Sequence, residues 1–484
     1  MVNPRLIAFL TGWIVIIAGG TLFLPILPAL YYDDEGMNLI FLRSGVIAVI
    51  LGGLLIFLGF KARKQEARSR DSLAVVGVSW FLISLLGALP YYFSGLLDVW
   101  GALFESFSGF SSTGSTNVQD LEIFPEALLF WRSFTQYLGG MGIIVLMVAV
   151  LPFLGVGGQL MLKNELSGLS NDKLKPRVAQ IAKILWMVYL GFTIVFFLLY
   201  LGGGAGVFNS LCLTFTTLST GGFANFNNSL GHYQGFYFPV VSMVVMFLGS
   251  ISFAMHYQLL TGHVRAFWRN PEILFFSIVI ITATLLISAS LIVSNVYQNP
   301  GEALFYSLFH AISILSTTGH ALVDWGKWPS LAITTLFFLF FIGGCSGSTS
   351  GGLKCVRWII MFKSIHRIFR RYIHPRGVFP IRLNGKPVPD NVLEGVWLFF
   401  ILYIIILAFS TLILAGLGLD FLTSLSAAAS ALGNVGPGLG PLGPANTMAW
   451  VPGPAKGLLS LLMLLGRLEF YSFLVIFIPE FWSK

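Results

Sequence analysis

The chain has 484 residues, of which 56% are hydrophobic, 45 are Phe and only 10% are charged, where soluble domains carry roughly a quarter. That excludes a soluble globular protein and describes an integral membrane protein. The net charge of +8 is no nucleic-acid footprint, because the basic residues follow a membrane topology.

About 20 apolar residues suffice to cross the hydrocarbon layer. Ten such stretches lie at roughly 6–30, 39–60, 72–93, 127–151, 180–201, 235–260, 272–295, 328–357 (interrupted), 392–416 and 455–478. The first follows Arg5 but is too long for a signal-peptide core and lacks a small-residue cleavage pattern, so it is expected to remain as a membrane helix. With the amino terminus on the inner side, the inner loops hold Lys61, Arg63, Lys64, Arg68 and Arg70, then Lys163, Lys173, Lys175, Arg177 and Lys183, then Arg265 and Arg269, and finally the basic run from Lys354 to Lys386. This is a positive-inside bias. It predicts a multi-pass protein with both termini cytoplasmic. The outer side carries Asp33, Asp34, Glu35, Asp98, Glu105, Asp120, Glu122, Glu126, Glu302, Asp324 and Asp420. Singly these read as solvated loop charges; together they would concentrate cations. Cys212, Cys345 and Cys355 have neither even number nor metal-ligand spacing and read as small apolar residues.

Four short segments between the longer stretches share one pattern. They are Phe104 to Ser115, Cys212 to Phe223, Phe309 to His320 and Ser426 to Pro437. Aligned without gaps, they place Gly114, Gly222, Gly319 and Gly436 in one column, with Ser108, Thr216, Ser313 and Ser430 six positions earlier. This is a fourfold internal repeat. It divides the chain into an N-terminal helical pair (1–70) and four units of outer helix, pore helix, glycine turn and inner helix: 71–160, 161–268, 269–386 and 387–484. The expected fold is an all-α integral membrane protein with pseudo-fourfold re-entrant pore loops. Unpaired backbone cannot face lipid, so four such loops must share a central aqueous axis. There their carbonyls can replace the hydration shell of a cation. Each unit enters and leaves on the basic side, as in a channel rather than an inverted-repeat transporter.

At these residues the sequence resembles the superfamily of potassium transporters that includes bacterial Trk and Ktr membrane subunits and plant HKT proteins. The extra N-terminal helices and the length make it most similar to the Trk membrane subunit. The resemblance implies a potassium filter, with potassium as the permeant ligand, at Ser112, Thr113 and Gly114; Thr220, Gly221 and Gly222; Thr317, Thr318 and Gly319; and Asn434, Val435 and Gly436. Glycine at position 114, where serine in this superfamily goes with sodium preference, favours potassium. The resemblance also implies an intramembrane gate, for which the run Gly343, Gly344, Cys345, Ser346, Gly347, Ser348, Thr349, Ser350, Gly351 and Gly352 is suited. A continuous helix through it is disfavoured, and no Gly-Lys-Ser/Thr follows to make it a nucleotide loop. The alternative is a packing kink at a helix interface.

Arg467 sits near the middle of the last stretch, where a charge is costly and faces a cavity or partner. It reads as a barrier or latch on the ion path, or else as a structural cap for a neighbouring helix. Glu469, two residues on, lies on another helix face, so an in-helix pair with Arg467 is not expected. His320 is expected to pack outside the filter rather than bind a metal.

The resulting expectation is channel-like potassium uptake across a bacterial inner membrane, with no catalytic constellation and no cofactor in this chain. The alternative is a secondary transporter symporting potassium with protons or sodium. It would need intramembrane carboxylates, of which Glu469 alone reads as central. The resemblance implies a homodimer and a cytosolic ring of TrkA-like NAD- or ATP-binding regulatory subunits, meeting the basic inner surface formed partly by residues 354–386. No nucleic acid partner is expected.

Overall fold

The computed structural model describes residues 2–65, 67–150 and 174–482. The expected 160/161 unit border lies outside them, as do Lys163, Lys173 and the side chains of Lys175 and Arg177.

Helix α1 (Pro4–Thr21) starts where Asn3 Oδ1 accepts from the amides of Arg5 (3.1 Å) and Leu6 (3.2 Å), with Pro4 at the first helical position. It continues into α2 (Ile26–Tyr31), and α3 (Met37–Gly59) returns beside it. The α1–α3 backbones nearly touch: a Cβ on Gly12 would lie 2.7 Å from the Gly52 carbonyl oxygen. Such small-residue contacts let helices pack without a hydrophobic driving force in lipid.

The rest of the chain runs through one helical pattern four times. First come α4 (Ser69–Gly87) with its short continuation α5 (Leu89–Phe93), α6 (Val99–Phe110) and α7 (Glu126–Val150). Next are α8 (Leu174–Gly202), α9 (Gly206–Leu218), α10 (Tyr237–Gly249), α11 (Phe253–Leu260) and the single turn α12 (Val264–Trp268). Third are α13 (Pro271–Val293), α14 (Pro300–Leu315), α15 (Ser330–Leu339) and α16 (Cys355–Ile373). A small hairpin pairs Arg382–Leu383 with Lys386–Pro387 before the fourth set: α17 (Asp390–Gly416), α18 (Phe421–Gly433), α19 (Gly453–Arg467), α20 (Tyr471–Leu474) and α21 (Pro479–Trp482). This is an all-α, pseudo-fourfold fold with an extra N-terminal pair.

Among the described residues six helical stretches are long and apolar enough to cross a membrane: Pro4–Tyr31, Met37–Ala62, Arg70–Phe93, Gln180–Gly202, Pro271–Val293 and Asp390–Gly416. The protein is therefore a multi-pass membrane protein. Helices α6, α9, α14 and α18 are too short to cross; at 12 residues, α6 reaches about 18 Å.

Two inner helices differ from the continuous spans expected of them, and a third has the interruption expected at residues 343–352. The stretch 235–260 bends by 100° between α10 and α11. The stretch 328–357 is helical only to Leu339, and its chain stays irregular until α16 begins at Cys355. The stretch 455–478 stops at Arg467, so this residue ends a helix rather than lying inside one. Glu469 and Phe470 then take φ of +57° and +55°. Apolar composition continues through the first and last of these breaks, so hydropathy does not register them, whereas the glycine- and serine-rich run 343–352 shows in the sequence. The freed amides and carbonyls are tolerated because the breaks bond to one another at the centre of the protein.

Candidate pore site

The short helices α6, α14 and α18 each begin, at the end away from the glycine turns, with a side chain accepting from the first turn: Asp98 from Gly101 N (2.8 Å), Asn299 from Gly301 N (2.9 Å) and Asp420 from Thr423 N (3.1 Å). Their carboxyl ends, with the partial negative charge of the helix dipole, converge on the glycine turns. Two of the supposed vestibule acids are thus helix caps. Asp34 is also engaged, accepting from Ala127 N at the start of α7 (2.8 Å). Asp120 accepts from Asn227 Nδ2 (2.8 Å) and Glu122 N (3.0 Å), bonds that hold its carboxyl below the ordinary carboxylate range.

The four turns share one backbone conformation. Ser112, Thr220, Thr317 and Asn434 take φ of +53°, +52°, +57° and +53°, and Gly114, Gly222, Gly319 and Gly436 take +85°, +78°, +80° and +105°. In each, an amide returns to the hydroxyl-bearing residue of the same column: Thr113 N to Ser108 O (2.9 Å), Gly221 N to Thr216 O (2.8 Å), Thr318 N to Ser313 O (2.9 Å) and Val435 N to Ser430 O (3.0 Å).

The turns close a ring. A Cβ on Gly114 would lie 2.1 Å from Gly221 O; one on Gly222, 1.7 Å from Thr318 O; one on Gly319, 2.3 Å from Val435 O; and one on Gly436, 2.8 Å from Thr113 O. Each glycine is thus pressed against a carbonyl of the next turn in cyclic order, and the last returns to the first. Only glycine combines that positive φ with that approach. Outside the ring, a cavity of about 120 Å³ ends on all four glycines. Its described lining includes Gln119, Asn227, Asn446 and Thr447 and contains no Asp or Glu, so the expected acidic vestibule does not extend to the mouth.

Behind the first two turns lies a buried ion pair that the sequence did not disclose. Its members are Glu105, expected among the solvated outer acids, and Arg132 on α7. They are 0% and 1% exposed and meet at 2.6 Å. Glu105 accepts from Asn117 N (2.8 Å) and Thr116 Oγ1 (3.0 Å), just beyond Gly114. Arg132 donates to Ala224 O (3.0 Å), just beyond Gly222, and its guanidinium lies 4.1 Å from the Phe223 ring centroid. Gln136, one turn along α7, donates to Gly221 O (2.8 Å) and accepts from Phe223 N (3.0 Å). His320 is buried behind the third turn, with Nε2 3.1 Å from Thr217 Oγ1.

The opposite side of the ring is filled by residues 343–352. Cys345 N donates to Ser250 O (2.8 Å) in the α10–α11 break, Phe253 N donates to Gly347 O (3.1 Å), and Ser346 N donates to Glu272 Oε2 (2.8 Å). Thr349 Oγ1 reaches Leu218 O and Gly249 O, both at 3.0 Å. Ser350 Oγ donates to Ser316 O (2.7 Å), and Gly351 N to Thr317 Oγ1 (2.7 Å). A Cβ on Gly351 would lie 2.7 Å from Gly433 O, so the segment also abuts the fourth turn. Its two ends are joined to each other, Gly343 N to Leu353 O (2.9 Å) and Cys355 N to Gly344 O (3.1 Å). Ser348 Oγ braces it internally on Cys345 O (2.6 Å), and Gly347 and Gly352 supply positive φ at its bends.

Arg467, 2% exposed, joins this segment to the first turn. Nη1 donates to Thr349 O (2.5 Å), while Nη2 donates to Gly139 O (3.1 Å) and Ser112 Oγ (3.3 Å). Glu469 pairs with Arg357, and Lys354 Nζ donates to Ser350 O. Lys354 and Arg357, placed on the basic inner surface by their sequence neighbourhood, are instead buried at the site. Glu469 is also not the sole central carboxylate, since Glu105 and Glu272 are equally enclosed. Among the described residues no three His, Cys, Asp or Glu side chains gather as a metal site.

A family model described as TrkH, cation transport protein, matches residues 38–484. The chain is 35% identical over 484 residues to the Trk system potassium uptake protein TrkH of Salmonella typhimurium, covering 99% of each. To the Trk system potassium uptake protein TrkG of Escherichia coli it is 32% identical over 486 residues, covering 100% of this chain and 99% of that one. The structure is similar to the crystal structure of the potassium transporter TrkH from Vibrio parahaemolyticus, with a TM-score of 0.90, 33% identity and 99% of both chains covered. Full-length agreement in sequence and in fold, around a closed ring of four glycine turns, places the chain in the TrkH family of cation transport proteins.

Proposed function

We propose that the chain is a potassium-selective, channel-like uptake protein of a bacterial inner membrane, with both termini on the cytoplasmic side. One observation carries the reading: four turns of identical backbone conformation close a ring on one axis, each glycine against the next turn's carbonyl. The carbonyls of residues 112–114, 220–222, 317–319 and 434–436 would replace water around a permeating potassium ion. Residues 343–352, across the inner side of this ring, act as the gate. Arg467 is both latch and positive barrier, since it bonds to the gate's backbone and repels a cation beneath the filter.

A channel reading is favoured over symport because the enclosed carboxylates are occupied structurally: Glu105 by Arg132, Glu272 by Ser346 N and Glu469 by Arg357. Relatives named as Trk system components support a cytosolic ring of TrkA-like, nucleotide-binding regulatory subunits at the basic inner side, and a homodimer. The deciding experiment reconstitutes the purified chain in liposomes and follows tracer potassium with and without sodium and proton gradients. Uptake down the potassium gradient alone is expected; uptake that requires a sodium or proton gradient would replace the channel reading with symport.

A further inference from the structure

Residues 343–352 are held from the α19 side by Arg467; a second charged group holds them from the α16 side. Lys354, 4% exposed, closes the segment by donating to Ser350 O. In the first turn of α16, Arg357 makes its ion pair with Glu469 and lies 3.9 Å from the centroid of the Phe399 ring on α17. Glu469 and Phe470 follow Arg467 after one residue, Leu468, and both hold the left-handed backbone that L-residues avoid. Phe470 stacks on the same Phe399 ring, with centroids 4.7 Å apart. One guanidinium therefore pins a strained turn whose preceding residues carry Arg467. Strain of this kind persists only where surrounding contacts over-determine it. From Arg357 onward, α16 runs out to the exposed Lys363, Arg370 and Arg371, so a displacement of its outer end acts on the pair directly.

We propose that Arg357 and Glu469 are positioning residues forming a second lock, which keeps the Glu469–Phe470 turn strained and so holds Arg467 on the Thr349 carbonyl. Displacing α16 breaks the pair, lets the turn relax and withdraws Arg467 from residues 343–352. This rests on the reading that those residues block the ion path.

The test uses the full chain in liposomes with two readouts, tracer potassium flux and the rate at which a water-soluble methanethiosulfonate labels Cys345. This thiol is 2% exposed within the segment. Cys212→Ala and Cys355→Ser remove the other thiols, and serine keeps the donor that Cys355 offers to Gly343 O. Glu469→Gln and Arg357→Met should each raise both flux and labelling about tenfold, because loss of either partner leaves a buried charge uncompensated in the locked state. The exchange Arg357→Glu with Glu469→Arg should bring both back toward the reference. Single variants with reference flux and labelling, whatever their thermal stability, overturn the lock. So does an exchange no better than the singles. If Arg467→Ala alone raises both readouts, the lock fails while the blocking reading stands; if Arg467→Ala moves neither, both fall.

Discussion

Arg467 Nη1 lies 2.5 Å from the carbonyl oxygen of Thr349, 118 residues earlier in the chain. Arg467 thus joins a helix end in the fourth unit to the irregular segment of the third. Its other terminal nitrogen binds Gly139 O and Ser112 Oγ, both from the first unit. The carbonyls that Arg467 caps belong to residues 343–352 and to α7, so under the proposed gate the cap would also be the latch.

Arg467→Ala should raise basal potassium flux in liposomes by about tenfold or more, since it removes a charge from the path and the bonds holding residues 343–352. Arg467→Lys is the informative companion. The three acceptors lie around two guanidinium nitrogens, and one ammonium cannot span them. Lysine should therefore restore the charge barrier but only part of the latch, giving flux between wild type and alanine. Alanine flux below wild type, with lowered thermal stability, would leave Arg467 a purely structural role.

Substitutions in the glycine column should rank by the space each glycine lacks. A Cβ at Gly222 or Gly114 meets a carbonyl oxygen at 1.7 or 2.1 Å, while one at Gly436 meets its neighbour at 2.8 Å. Gly222→Ala and Gly114→Ser are expected to lower potassium over sodium selectivity most, and Gly436→Ala least. Competition of sodium against tracer potassium, measured on correctly inserted protein, reads this order. Equal selectivity in all three variants would detach the ring from ion discrimination.

The ring was legible in the sequence because it repeats: four glycines at matching offsets make an alignment within one chain. The breaks at Ser250, at residues 343–352 and after Arg467 were legible only where composition changed. Gly343 to Gly352 is conspicuous, whereas Ser250 and Glu469 sit in stretches whose mean apolarity barely drops. The pairs Glu105 with Arg132 and Arg357 with Glu469 were hidden for another reason. Their partners lie 27 and 112 residues apart, too far for any local pattern to pair them. A buried partner and a solvated one then look alike until tertiary packing brings the pair together.

Glu105→Gln or Arg132→Met should destabilise the protein by about 3–5 kcal/mol, the usual consequence of stranding one member of a buried pair, and should show as a lowered thermal transition. Because Glu105 and Arg132 hold the chain just past Gly114 and Gly222, selectivity should fall along with stability. Arg132→Lys separates the two effects: it keeps the charge yet cannot reach Glu105, Thr116 and Ala224 together. It should recover more stability than selectivity. Full selectivity in Arg132→Lys would make the pair a packing element only.

Deleting Ser346 to Ser350 should raise basal flux, because it removes the hydroxyls and carbonyls that fasten the segment beneath the ring. A subtler variant tests the same point without shortening the chain. Thr349→Val conserves shape but removes the hydroxyl that bonds Leu218 O and Gly249 O at 3.0 Å each. Both carbonyls terminate helices, so their lost partner weakens the closed arrangement by roughly 1–3 kcal/mol. When the segment leaves, water can solvate them. The cost falls on the closed state, and flux should rise by about tenfold, less than in the deletion. If residues 343–352 were only a packing kink, Thr349→Val would lower thermal stability and leave flux per folded molecule unchanged, and that outcome would remove the segment from the gate.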